Sequence, residues 1–211
     1  MSGLRLQGRA VGRFCKLYFK KVMDFSSDLE NCLRILHAGG LILYPTDTVW
    51  GIGCDATNAT AVAKIFALKK REESKSMIVL LADERELIRY VAHVDLAVFD
   101  YLDTVKKPTT VIYDGAIGLA DNLVASDGSI GIRIVKEDFC RHLIKRFRKP
   151  VVSTSANVAG EKTPAAFGEV GDVIIKGVDY VVGYRQDDTI VKEASAVVRW
   201  DEKKGVEVIR S

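Results

Sequence analysis

Lys69, Arg71 and Lys75 place three cations in a short stretch just beyond an apolar helical run. Lysine as a point charge and arginine as a planar fork suit a polyphosphate. The simpler alternative is a solvated basic helix end, because cations are favoured at helix C-termini in any case. Ser153-Thr154-Ser155-Ala156-Asn157 follows the apolar pair Val151-Val152. Along an extended chain Ser153 and Ser155 point to one face, and a row of hydroxyl donors there suits oxyanions. Plain turn formation is the alternative for such residues. Arg133 sits inside the apolar run Ile130-Gly131-Ile132-Arg133-Ile134. A guanidinium in that setting needs an anion, which is either a substrate carboxylate or the partner in a structural ion pair. Finally, Tyr44-Pro45-Thr46-Asp47-Thr48 breaks an apolar strand into hydroxyls and an acid, at the strand end where open α/β sheets bind ligands.

Common nucleotide and hydrolase devices do not account for these residues. Gly51-Ile52-Gly53-Cys54-Asp55-Ala56 matches the letters of the dinucleotide fingerprint. It does not follow its strand directly or open a helix, as that fingerprint requires. The sequence contains no P-loop and no G-x-S-x-G elbow that would make Ser153 or Ser155 a hydrolase nucleophile. Cys15, Cys32, Cys54 and Cys140 are scattered and the three histidines are isolated. That usage reads as free thiols in a reducing cytoplasm rather than a disulfide framework or a zinc site.

The elements that must position these residues follow from periodicity. Ser27-Asp28-Leu29-Glu30 reads as a capping box before Leu29, Cys32, Leu33 and Leu36 at helical spacing, ended by Gly39-Gly40. A strand over Leu41 to Tyr44 comes next, then a helix capped by Asn58 whose end delivers Lys69 and Arg71. Met77 to Leu81 reads as a strand, Asp83 as the cap of another helix, and Val94 to Leu102 as a further helix. Strands are expected over Thr110 to Tyr113, Ile130 to Val135 and Val151 to Thr154, with a helix from Glu137 to Arg148 stopped by Pro150. Short tail strands over Tyr180 to Val182, Ala196 to Trp200 and Val206 to Ile209 complete the pattern. Helices alternating with apolar strands, and a hairpin-like tail, predict an α/β fold: a twisted, open, mixed sheet with helices packed around it.

With 211 residues, 48% hydrophobic and 28% charged, one domain with a sizeable core is expected, and the apolar runs are too short to span a bilayer. The net charge of +3 is misleading as a whole-chain figure. Arg5, Arg9, Arg13, Lys16, Lys20 and Lys21, with no acid among residues 1–22, turn a formal −3 elsewhere into +3 overall. Residues 1–22 therefore read as a basic N-terminal extension, and residues 23–211 as the folded domain, with Met23 an alternative start. The extension lacks the apolar core of a secretory signal.

In order along the chain, Y-P-T-D-T at Tyr44 to Thr48, K-x-R at Lys69 to Arg71 and S-x-S-A-N at Ser153 to Asn157 resemble the YrdC family of threonylcarbamoyl-AMP synthases, over about Asp24 to Arg210. The resemblance implies a YrdC-like sheet around a large ligand cleft in a cytoplasmic enzyme. Such an enzyme joins L-threonine, bicarbonate and ATP with Mg²⁺ into threonylcarbamoyl-AMP and pyrophosphate, for a downstream tRNA-modifying transferase complex. Carried over residue by residue, it implies that Thr48, Arg133, Ser153 and Ser195 contact threonine. It likewise implies that Lys69, Arg71, Lys75, Ser129, Ser155, Asn157, Thr163 and Arg210 surround ATP, with no metal ligand from the protein. Lys69, Arg71 and Lys75 would then act electrostatically rather than as nucleophiles. Thr110 matches a threonine of the family's Pro-Gly-Pro-x-Thr stretch, which reads Lys106-Lys107-Pro108-Thr109-Thr110 here. Ser195-Ala196-Val197 stands for Ser-Thr-Val, and Leu80 for a histidine of several relatives. The alternatives are a non-catalytic RNA-binding module that uses the basic extension, and a family paralogue with a different carbamoyl or adenylate reaction.

Overall fold

The computed structural model describes residues 25–72, 77–190, 192–201 and 205–211. The basic extension over residues 1–22, the alternative start Met23, and Lys75 lie outside the described residues. The chain runs α1 (Ser26–His37), β1 (Ile42–Tyr44), β2 (Gly51–Gly53), α2 (Ala59–Lys69), β3 (Ile78–Leu81), α3 (Ala97–Thr104), β4 (Thr109–Tyr113), β5 (Ile130–Ile134), α4 (Asp138–Phe147), β6 (Val151–Ser155), α5 (Asp172–Gly177), β7 (Tyr180–Val181), β8 (Ala196–Asp201) and β9 (Gly205–Arg210). Short 3₁₀ turns cover Glu84–Arg89, Asp121–Leu123 and Phe167–Glu169. The strands form one mixed sheet in the order β7-β1-β2-β6-β3-β5-β4-β8-β9. β3–β5, β4–β8 and β1–β7 are parallel, and the remaining pairs are antiparallel, including the tail hairpin β8–β9. The expected open, mixed α/β sheet is the observed one.

Local chemistry sets two of the helix starts as the sequence predicts. Asn58 accepts from the Ala61 amide at 3.1 Å to start α2, which ends at Lys70 in the left-handed region. Glu137 accepts from the Cys140 amide at 2.8 Å to start α4. Three details differ. α1 opens after Phe25 without a side-chain cap, so Ser27 and Glu30 do not form the expected capping box. Packing holds this helix start instead: the buried Phe25 ring meets Phe139 at 5.6 Å and Tyr184 at 5.0 Å. Asp28 is drawn away from capping, accepting from the Tyr180 hydroxyl at 2.6 Å and the amides of Gly183 and Tyr184 at 3.0 and 2.9 Å. The segment after Asp83 is a 3₁₀ turn, with the Asp83 carboxylate on the Arg85 amide. α3 begins at Ala97 rather than Val94, because the Asp95 carboxylate accepts from the Ala97 amide at 2.9 Å and is fixed by Trp200 Nε1 at 2.8 Å.

The largest difference is β2, a strand that the sequence reading does not assign. Two glycines in three residues argue against a strand on intrinsic grounds, yet Gly51-Ile52-Gly53 pairs with β1 on one side and β6 on the other. The glycines are there for close approach. A Cβ on Gly53 would stand 2.7 Å from the Tyr44 ring and 2.8 Å from the Val152 carbonyl oxygen, and one on Gly51 would stand 3.2 Å from Ser153 Oγ. Tyr44 lies across the missing side chain and donates its hydroxyl to the Val152 carbonyl at 3.1 Å. Burial raises its phenol well above the ordinary value, so it stays a neutral donor.

Candidate active site

Beside β2 and β6 lies an open cleft of about 640 Å³, solvent at its mouth included. Thr48, Arg71, Arg133, Ser153, Ser155, Thr163, Ser195 and Arg210 all line it, together with Trp50 and Met77. Residues far apart in sequence converge because β6 sits between β2 and β3, with β5 next along. Leu80 is buried in β3, in register with Arg133 of β5 and Val151 of β6.

The Thr46–Thr48 loop is shaped by its own hydroxyls. Thr46 Oγ1 accepts from the Thr48 amide at 3.0 Å and donates to the Val49 carbonyl at 2.8 Å, with Thr48 Oγ1 3.0 Å away. From outside, Arg185 Nη1 and Lys192 Nζ both donate to the Thr46 carbonyl at 3.3 Å. Burial and the neighbouring Arg185 lower the Lys192 pKa. These two residues are brought to the loop by the chain after β7, and nothing local in the sequence marks them.

Arg133 is 2% exposed, and its Nη2 lies 3.0 Å from Asp47 Oδ1. The sequence left open whether its counter-ion would be structural or a substrate, and the fold supplies Asp47. That ion pair does not exhaust the guanidinium. Arg133 Nε is buried without a hydrogen-bond partner, while Nη2 and Asp47 Oδ1 meet as an ion pair without hydrogen-bond alignment. A buried donor such as Nε costs about 1–3 kcal/mol unless a ligand or water satisfies it. Asp47 stands in the Y-P-T-D-T segment, but the sequence reading gives it no role. Arg133's need for a buried anion was the signal that could have found it.

On the other side, Thr110 Oγ1 and Ser195 Oγ share a hydrogen bond of 2.9 Å, and Arg210 Nη2 donates to the Ser195 carbonyl at 2.9 Å. Ser195 and Arg210 thus bring the chain's tail to the cleft wall. The three remaining candidates among the described residues do not line the cleft. Ser129 is buried and donates its hydroxyl to Asp127 Oδ1 at 2.6 Å. Asn157 donates to the Val158 and Glu161 carbonyls, both at 2.9 Å. Lys69 is 1% exposed, with its ammonium on the carbonyls of Ser155 and Asn157, the latter at 2.6 Å. Burial, with Arg71 adding repulsion, lowers its pKa to about 8. Lys69 is therefore not part of a solvated basic helix end.

A family model, Sua5/YciO/YrdC, described as telomere recombination, matches residues 34–211. A threonylcarbamoyl-AMP synthase of Idiomarina loihiensis is 32% identical over 146 residues, covering 68% of this chain and 78% of that protein. A Methanocaldococcus jannaschii protein carrying a provisional form of the same name is 34% identical over 178 residues, covering 82% and 81%. The structure of P. abyssi Sua5 complexed with L-threonine superposes with a TM-score of 0.72 at 19% identity over 81% of this chain. The likeness to that structure is one of fold, and this chain spans half, 50%, of its length.

Proposed function

Because the chain belongs to the Sua5/YciO/YrdC family, we propose that the cleft is the active site of a threonylcarbamoyl-AMP synthase, which makes its product from L-threonine, bicarbonate and Mg-ATP for transfer to tRNA. The single observation that carries this reading is the Arg133 guanidinium, buried at the cleft with Nε left without a protein acceptor beside the Nη2–Asp47 ion pair. A planar fork of this kind suits the threonine carboxylate. The hydroxyls of Thr48, Ser153 and Ser195 surround the remaining polar groups of the amino acid. Arg71, Ser155, Thr163 and Arg210 face the triphosphate. By the family resemblance Lys75 belongs to that set, and Ser129, Asn157 and Lys69 support it without lining the cleft.

The chemistry asks for no protein nucleophile. The threonine amine combines with the carbon of bicarbonate, with loss of water, to give a carbamate. A carbamate oxygen then attacks the α-phosphorus in line, and pyrophosphate leaves. The work of the protein is to hold two anionic substrates in contact and to balance the charge on the departing pyrophosphate. Purified protein should release pyrophosphate from Mg-ATP only when threonine and bicarbonate are both present. Release of phosphate, or release indifferent to threonine, overturns the assignment.

Arg71 gives a separable test of the nucleotide half. Arg71→Ala removes a charge-assisted contact worth about 1.5–3 kcal/mol, so ATP affinity measured by calorimetry should fall about tenfold or more. Threonine affinity should hold, because the Arg133–Asp47 pair is untouched. Thermal stability should change little, since a partly exposed charge contributes little to folding.

A further inference from the structure

Lys69 has the residue type of a phosphate ligand, yet it does not line the cleft and its ammonium is held by backbone carbonyls. Its Nζ donates to the Ser155 and Asn157 carbonyls, and its own carbonyl accepts from the Ala159 amide at 2.8 Å. Among the described residues no carboxylate lies within ion-pair distance, so carbonyl dipoles and the C-terminal end of α2 are what hold the charge. The lacing runs in both directions and joins two segments that each feed the cleft wall. Arg71 follows Lys69 by two residues, after the left-handed turn at Lys70. Ser155 ends β6, and Thr163 follows the loop that Asn157 closes through Glu161.

We propose that Lys69 is a positioning residue that touches no substrate and sets the separation between Arg71 and the Ser155–Asn157 turn across the nucleotide cleft. The proposal rests on the nucleotide reading above for its ligand and goes beyond it in taking Lys69 out of the phosphate-binding set. A buried cation tethered by carbonyls is also sensible as a spacer. Its four-carbon stem packs like an apolar side chain, while the ammonium satisfies two acceptors that would otherwise be orphaned.

The deciding experiment is a double-mutant comparison of ATP affinity by calorimetry, with Lys69→Met, Arg71→Ala with Ser155→Ala, and all three together. Lys69→Met alone should weaken ATP about tenfold and leave threonine affinity within about twofold. Added to the Arg71 and Ser155 changes, it should cost less than about twofold more, because the groups it places are already gone. A full further tenfold loss would mean Lys69 grips phosphate directly. Unchanged ATP affinity in Lys69→Met would make it a strut with no bearing on the site. Either result overturns the proposal. Should Lys69→Met not fold, nitrogen-15 NMR of the wild type decides. Couplings from Lys69 Nζ to the Ser155 and Asn157 carbonyls should persist when Mg-ATP is added, and their loss to a phosphate overturns the proposal. Wild-type protein that binds no ATP overturns the functional reading and this inference together, whereas an effect on ATP that adds fully overturns this inference alone.

Discussion

Replacing Arg133 with methionine is expected to lower stability by about 3–5 kcal/mol, because it strands a largely buried Asp47 carboxylate without its partner. For a chain of this length that corresponds to a fall in melting temperature of roughly 6–20 °C at about 2–4 °C per kcal/mol. Arg133→Lys separates the structural role from the substrate role. It keeps a cation against Asp47 but loses the planar two-point match to a carboxylate. Its KM for threonine should rise about tenfold or more, with ATP affinity and melting temperature much less affected. The effect should fall on KM rather than kcat, because the carboxylate is not the reacting group and is held equally in ground and transition states. A third variant, Asp47→Asn with Arg133→Gln, should recover part of the stability lost in Arg133→Met without restoring threonine use. Normal threonine KM in Arg133→Lys, together with a large loss of stability, would assign the residue to the fold alone.

The second large effect is expected at Gly53. Gly53→Ala puts a Cβ 2.7 Å from the Tyr44 ring, 2.8 Å from the Val152 carbonyl oxygen and 3.1 Å from Val151 Cγ1. Neither close neighbour can yield cheaply. The oxygen is backbone in the middle of β6, and the ring is fully buried and tethered to that same oxygen at 3.1 Å. Overpacking of this kind costs about 1–3 kcal/mol, here toward the upper end. The reduced freedom of the unfolded chain offsets only about 0.4–1 kcal/mol of that. A net loss of about 2 kcal/mol should lower the melting temperature by roughly 4–8 °C. Pyrophosphate release should fall further, because β6 carries Ser153 and Ser155 into the cleft. Gly168→Ala is the control. A Cβ there meets nothing within 4 Å, so its melting temperature should stay the same or rise slightly. Equal behaviour of the two variants would mean that the contact between Tyr44 and β2 does not shape the site.

What the sequence determined by itself is what short-range chemistry controls. The apolar runs at Leu41 to Tyr44, Ile130 to Ile134 and Val151-Val152 could be little but buried strands. Asn58 and Glu137 cap their helices with side chains a few residues from the amides they bind, so those starts were legible locally. The order of the three motifs was enough to indicate the family, because each pairs unusual polar residues with an apolar element at a fixed spacing. The tertiary structure alone decided three things. Gly51 and Gly53 became a strand because Tyr44 and β6 need the space their side chains would fill, a requirement that no local propensity carries. Asp47 became the partner of Arg133, residues 86 positions apart in sequence that the Tyr44–Gly51 loop and β5 bring to 3.0 Å. Lys69 and Arg71 look alike in a charge pattern, yet one turned into the protein and the other to the cleft. The reason is that α2 ends on a left-handed Lys70 and the β6 carbonyls stand where the Lys69 ammonium arrives. The sequence specifies which charges and hydroxyls are available and roughly which elements carry them. Which of them meet an anion and which meet a backbone carbonyl depends on contacts between strands far apart in the chain.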